Sequence, residues 1–396
     1  MTIKSLAFDA QQYLESQTGT TFKRGHIYEL LAASLGFKSY ASLCADHVFT
    51  HGSITSQRPA KHSDTVGRRC LELNYSPETA LGVARVLPAH LSEREIGVIR
   101  IADLVAHLRY ETHGVPAHDF DELDDEVDDE DEDSTFDPWF DRPIASPILL
   151  EGLTAAAEKG DANAHYALAL IHAPSDDPFD EPSSGSEYWY NEERKGRVLT
   201  GVEKEWADAY SATLNRGEKY EHHLRAAGAL GHEAALLEMA EQFSDPAFFE
   251  QRTALSSGID AAYVADLAEE LGRPKDAWRY WTMAAQQGDT EAMRELIEGY
   301  DRSNLQQCWT WFYLAKRLGT DLSKDEYRAI NEDGSDYDDD VGGAAYVSGR
   351  DGVVLEPIEG DQDAAAQRAA ATLYQAIEAS YKAYSRLTYQ SPHFLR

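Results

Sequence analysis

At 396 residues, 42% of them hydrophobic, the chain can bury a sizeable core and is long enough for two or three domains or one elongated array. Its formal net charge of -34 argues against direct nucleic-acid or anionic-membrane binding, because phosphates would be repelled, and favours a basic protein partner or solubility alone. No run reaches the length of a membrane-spanning helix, the start Met1 to Asp9 has no long apolar core, and Cys44, Cys70 and Cys308 form no Cys-x-x-Cys, so a reduced, cytoplasmic protein is expected.

The first stretch predicts short helices. Leu6, Ala10, Tyr13 and Leu14 share one stripe; Ile27, Leu30, Leu31 and Leu35 share another, closed by Gly36; Ser39 to Leu43 opens a third. The run Glu29 to Leu43 resembles small helical modules at the N-termini of bacterial proteins, a likeness that implies no activity. A DNA-reading helix-turn-helix would need basic side chains on its second helix, where only Lys38 is near. Pro77 suits the first turn of a helix through Leu87, with Pro88 breaking it. Ser92 and Glu95 read as a capping box for a helix carrying Ile96, Ile99, Ile101, Leu104, Val105 and Leu108. Residues 1–118 are therefore expected to form an N-terminal helical unit.

Asp119 to Asp141 differs in kind. Its core, Asp121 to Asp133, is nearly all carboxylate and cannot collapse against its own repulsion. A disordered linker over 119–141 is expected; the alternative is an acidic lure for a basic partner or a nucleic-acid mimic.

Beyond it a pattern recurs around glycines. The series is Ala156…Gly160…Ala164, Ala227…Gly231…Ala235, Ala254…Gly258…Ala262, Ala284…Gly288…Ala292 and Ala315…Gly319, with alanine four residues before each glycine. The last three intervals are roughly thirty residues, a helix-pair period. The first is lengthened by an insertion over 173–201. These residues resemble the SEL-one-like repeat, a relative of the tetratricopeptide repeat: an aromatic pair, Ala-Ala, two variable residues, Gly-Asp/His, two more and Ala. Tyr280-Trp281 with Ala284-Ala285 and Gly288-Asp289 carries it best, and the copy at Ala254 least. The resemblance spans about 148–320 and implies an α-solenoid serving as a scaffold or adaptor without catalysis.

After Gly319 the pattern lapses. Residues 321–360 read as an acidic loop, then a hairpin within Ala345 to Leu355 around Gly349 to Gly352. A capping helix follows over 361–396, with Ala370, Leu373, Ile377, Tyr381 and Tyr384 on one face. The fold class expected is thus all-α, with one small β-hairpin near the end.

Chemistry was sought in the 14 histidines first. Cys44, His47 and His51 could share a helix face, but no second ligand cluster completes a zinc site. His222-His223 reads as bordering a helix interface. The loop at Asp336 to Gly342 has Val341 and Val347 where an EF-hand needs Gly and Glu. No phosphate-binding glycine loop or nucleophile elbow occurs, so neither enzyme activity nor any metal or cofactor is expected. What remains is aromatic. Trp281 and Phe312 fall at core offsets, whereas Trp278 and Trp309 lie between them and are the candidate partner-binding residues. The expected function is a non-catalytic adaptor that binds another protein. The alternative is an acidic inhibitor or immunity-type protein that occludes a basic partner, of which a nucleic-acid-binding protein is one kind.

Overall fold

The computed structural model describes residues 1–52, 58–113, 146–174, 182–251, 254–256, 258–331, 335, 337 and 345–389. The acidic tract at 119–141 lies outside them, as does most of the acidic loop before the second hairpin. The chain is mostly helical with two small antiparallel sheets, and it divides into two compact units, Met1–Met239 and Ala240–Arg396.

Unit 1 opens with α1 (Ile3–Thr18), α2 (Arg24–Ser34) and α3 (Tyr40–Leu43), the three expected helices. Thr2 and Ser39 cap α1 and α3 by accepting from the backbone N–H three residues on. Leu6, Ala10 and Leu14 meet Ile27, Leu30 and Leu31 in one core. Here the all-helical expectation fails. A three-stranded antiparallel sheet is built from β1 (His47–His51), β2 (Arg58–Pro59) and β3 (Ile96–Arg100), with β3 central. Between β2 and β3 run α4 (Ser63–Glu72) and α5 (Pro77–Glu93).

Pro88 lies inside α5 and does not end it; its ring is buried with Leu87 and Leu91, and that burial offsets the hydrogen bond a proline forfeits. Ser92 and Glu95 do not form a capping box either. They make a turn in which Glu95 N–H donates to the Ser92 carbonyl and Glu95 takes φ 51°. The chain then leaves as β3 and enters α6 (Ile101–His113) at once. His47 to Thr50 and Ile96 to Ile99 are buried residue after residue, so neither strand shows the alternation that would have marked it.

The helices after the tract, α7 (Pro147–Ala157) and α8 (Ala162–His172), belong to the same unit. Ile148 sits in the N-terminal core, Glu151 accepts the Ile3 N–H at 2.7 Å, and Gly152 lies against β1. A Cβ on Gly152 would stand 3.1 Å from Val48 Cγ1, so the absence of a side chain permits this approach. The insertion holds α9 (Ser186–Arg194) and leads into α10 (Val202–Ala229), which is 28 residues long. Then comes α11 (Glu233–Phe243).

Unit 2 holds α12 (Ala247–Gln251), α13 (Ala261–Glu270), α14 (Pro274–Gln287) and α15 (Thr290–Glu295), which runs into a π-helical turn at Leu296–Tyr300. After it come α16 (Leu305–Leu318), β4 (Glu326–Ile330), β5 (Tyr346–Arg350) and α17 (Gly360–Tyr389).

The glycine pattern has a local physical cause. Gly160, Gly231, Gly288 and Gly319 all have φ between 81° and 109°, a left-handed helix end that favours glycine. In each case the next residue's N–H donates to the carbonyl of the alanine four before the glycine: Ala156, Ala227, Ala284 and Ala315. Asp161 and Asp289 then turn and cap the following helix, accepting from Ala164 and Ala292 N–H at 3.0 Å. The alanines after the junctions, Ala164, Ala235 and Ala292, are fully buried. The copy at Ala254 differs, because no helix contains that residue; Gly258 is left-handed, and Asp260 caps α13.

The second hairpin also differs from its expected form. β5 pairs with β4, Tyr346 opposite Ile330, and not with the run after Gly352. Val353 N–H donates instead to the Leu322 carbonyl. A terminal helix forms, described over Gly360–Tyr389. α17 packs on α16 and α14, but of the expected face only Ala370 is buried, together with Ala366, while Leu373 and Ile377 are half-buried and Tyr381 is exposed; residues 390–396 lie outside the described residues.

Candidate functional site

The two candidate tryptophans stand at equivalent places, ten residues before Gly288 and Gly319. Their surroundings differ. Trp278 on α14 is 47% exposed. Trp309 on α16 is half-buried; its indole N–H donates to the Glu356 carbonyl at 2.9 Å, and its ring packs at 5.3 Å from those of Phe312 and Tyr313. At the core offsets, Tyr280, Trp281 and Trp311 are buried, while Phe312 is only half-buried.

What fixes Trp278 is Asp301. This carboxylate, 8% exposed, accepts the Trp278 indole N–H at 3.0 Å and the Trp311 indole N–H at 2.8 Å, one on each oxygen. The π-helical turn sets its position: Asp301 N–H reaches back to the Leu296 carbonyl at 2.7 Å, and the Cys308 thiol donates to the Asp301 carbonyl. Such turns insert one residue into a helix and re-aim the side chains beyond it. The same turn carries Tyr300, whose hydroxyl donates to Glu269 Oε1 at 2.6 Å beside the Trp281 indole N–H at 3.0 Å. Among the described residues of unit 2, paired aromatic donors on one carboxylate therefore occur at Asp301 and again at Glu269. Unit 1 repeats the device, with Tyr166 and Tyr220 hydroxyls on the two oxygens of buried Glu238.

Carboxylates crowd the α13 and α15 side of unit 2. Burial, then Glu269 and Glu270, push the Asp266 carboxyl above its ordinary range; burial, then Glu269, Glu298 and Asp266, do the same to Glu295. Burial is the larger cause of both shifts, and the neighbouring carboxylates add to it. Arg294, with no exposure at all, donates from Nη1 to the Asp351 carbonyl at 3.0 Å and to Glu298, tying α15 to the segment after β5. Arg350 pairs with Glu291 and lies 3.8 Å from Glu295.

Unit 1 holds two further groupings. His165 and His223 bring their Nδ1 atoms within 3.0 Å across α8 and α10, with His172 and His222 beside them. Burial and the neighbouring imidazoles lower the His223 pKa to about 4, and burial also lowers His165 and His172. His222-His223 thus borders a helix interface, in line with its sequence position. Among the described residues, no group of three or more His, Cys, Asp or Glu is arranged to hold a metal ion. Cys44, His47 and His51 do not share a helix: Cys44 ends α3, while the histidines open and close β1. Cys44 and His47 instead line a cavity of about 420 Å³, with Tyr40, Leu43, Phe49 and Ala155 among its walls. Burial and the adjacent Cys44 thiol raise the Tyr40 hydroxyl pKa.

Asp301 escaped the sequence reading because its partners lie ten and 23 residues away and no spacing rule joins them. Comparison with protein-family models, curated proteins and solved structures finds no match for this chain. No helix among the described residues is long and apolar enough to cross a membrane.

Proposed function

We propose that the chain is a non-catalytic adaptor of SEL-one-like helical repeats that binds a basic protein segment on unit 2, with Trp278 as the contact that carries most of the energy. The observation behind this reading is the fixing of an exposed indole by a buried carboxylate. Asp301 holds the Trp278 ring in place before any partner arrives, so little side-chain freedom is lost on binding. The grouping of Asp266, Glu269, Glu270, Glu295 and Glu298 on one side of unit 2 supports a cationic partner, which would ease the repulsion that adds to burial in raising Asp266 and Glu295.

The experiment starts from a partner recovered from native lysate and measures binding by calorimetry. Trp278→Ala, with its fold verified, loses at least about 2 kcal/mol, and neutralising Asp124 to Asp133 leaves affinity nearly unchanged. The reverse result, with steep salt dependence in the parent, supports the inhibitor reading, in which the acidic tract does the occluding.

A further inference from the structure

We propose that the cleft in unit 1 between α4 and the turn joining α2 to α3 binds a small molecule that carries a phosphomonoester on an aromatic ring. Lys38 and Arg68 hold the phosphate, and Phe37 forms the wall for the ring. The protein-binding surface assigned above lies in unit 2, so the two sites are distinct.

The chain builds this cleft locally. After α2 the backbone turns through Gly36, which is left-handed at φ 88°. His62, the residue before α4, donates its N–H to the Ser34 carbonyl at 3.2 Å. Its ring lies on Gly36, where a Cβ would come within 2.9 Å of Nε2. These contacts set Thr65, Arg68, Arg69 and Glu72, one face of α4 at three- and four-residue steps, beside Phe37 and Lys38. The space between them is about 460 Å³, within the usual range for small-molecule sites.

Charge selects the ligand. Three of the six lining residues are cations and one is an acid. That acid, Glu72, accepts from Arg69 Nη1 at 2.8 Å, while Nη2 of the same guanidinium donates to Glu29 at 2.6 Å. Arg69 and Glu72 are thereby committed to protein partners. Lys38 and Arg68 are not: both line the cleft, both are exposed, and neither has an ion-pair partner among the described residues. Two uncommitted cations match a phosphomonoester, which carries about −1.5 to −2 charges at neutral pH, better than a singly charged carboxylate or sulfate ester. The chain's overall charge does not oppose this, because residues 1–113 hold nearly equal numbers of basic and acidic side chains and the net -34 resides in the rest. Phe37 is half-buried and adds an apolar wall, and the cleft is larger than a bare phosphate needs.

The test titrates the isotope-labelled full-length chain with phenyl phosphate at neutral pH. The backbone N–H resonances of Lys38, Thr65 and Arg68 are expected to shift saturably. Phenyl sulfate has the same ring and a single charge; inorganic phosphate has the charge and no ring. Each is expected to half-saturate at a concentration at least about threefold higher than phenyl phosphate. Lys38→Gln and Arg68→Gln alter exposed side chains, so the fold persists, and each should weaken phenyl phosphate binding by at least about threefold. Absence of a saturable shift, unchanged binding in both variants, or half-saturation by either control at the phenyl phosphate concentration overturns the proposal. A capped phosphotyrosine peptide that half-saturates more than about tenfold below phenyl phosphate overturns it as well, and assigns the cleft to a phosphorylated protein.

Discussion

Asp301 is the sharpest place to test this structure, because one carboxylate serves two indoles. Asp301→Asn keeps one oxygen acceptor and turns an NH₂ toward the other indole N–H, donor against donor. A hydrogen bond to a charged group contributes about 1.5–3 kcal/mol, and leaving a buried donor unmet forfeits a similar amount. The Trp278 N–H belongs to an exposed ring and can turn toward water; that of Trp311, only 2% exposed, cannot. The amide therefore orients its oxygen to Trp311, and the variant loses about 1.5–3 kcal/mol. Asp301→Ala strands both donors and loses about 3–5 kcal/mol. Urea titration followed by hydrogen–deuterium exchange on α14 and α16 peptides reads unit 2 whether or not unit 1 unfolds with it. A double-mutant cycle with Trp311→Phe isolates the pair, because Phe removes the N–H and retains a ring. The cost of Asp301→Ala should shrink by about 1 kcal/mol or more on that background. Strict additivity, or Asp301→Asn within about 0.5 kcal/mol of the parent, would show that the indole–carboxylate pairs do not hold this site together.

Replacing Ala284 or Ala292 with Leu, both buried at a helix junction, should destabilise the chain by roughly 1–3 kcal/mol, and an unchanged melting temperature in both would remove them from the interface. Gly228→Ala should cost a similar amount, since its Cβ would come within 2.7 Å of Met239 Sδ; a neutral result in urea unfolding would mean that Met239 simply swings aside. His223, with its folded pKa lowered to about 4, takes up fewer protons folded than unfolded, so its contribution to stability is full above the ordinary histidine pKa near 6.5 and is lost as pH falls from there toward 4. The difference in unfolding midpoint between parent and His223→Gln, taken at each pH, should shrink across that window, and a constant difference would contradict it. A protease site inserted at 136–140 should, once cut, yield two pieces that still elute together, because Ile148 and Gly152 pack on the N-terminal core and β1; separate elution would place those contacts in doubt.

The sequence by itself determined the helix junctions and left the sheet and the site to tertiary structure, and the reason is range. A left-handed glycine, the alanine carbonyl four residues earlier and an aspartate cap all act within about eight residues, so Gly160-Asp161 and Gly288-Asp289 could be read directly. The presence of a terminal helix was legible for the same reason, but its packed face was not, since Tyr381 stays in solvent. β1 and β3 were not. Strands buried on both faces lose their period of two, and Ile96 to Leu108 then mimics one helix until Glu95 and the pairing of His47 with Arg100 impose a strand. β4 was missed because its partner lies beyond the acidic loop, where only chain closure could bring the two together. At the site, sequence offsets separated core aromatics from Trp278 and Trp309, but they treated those two as alike. Tertiary packing made them different: Asp301 leaves one indole in solvent, and the Glu356 carbonyl draws the other inward. Hydrogen bonds that span 23 and 47 residues carry no local signature, since their geometry exists only once the helices between them are packed.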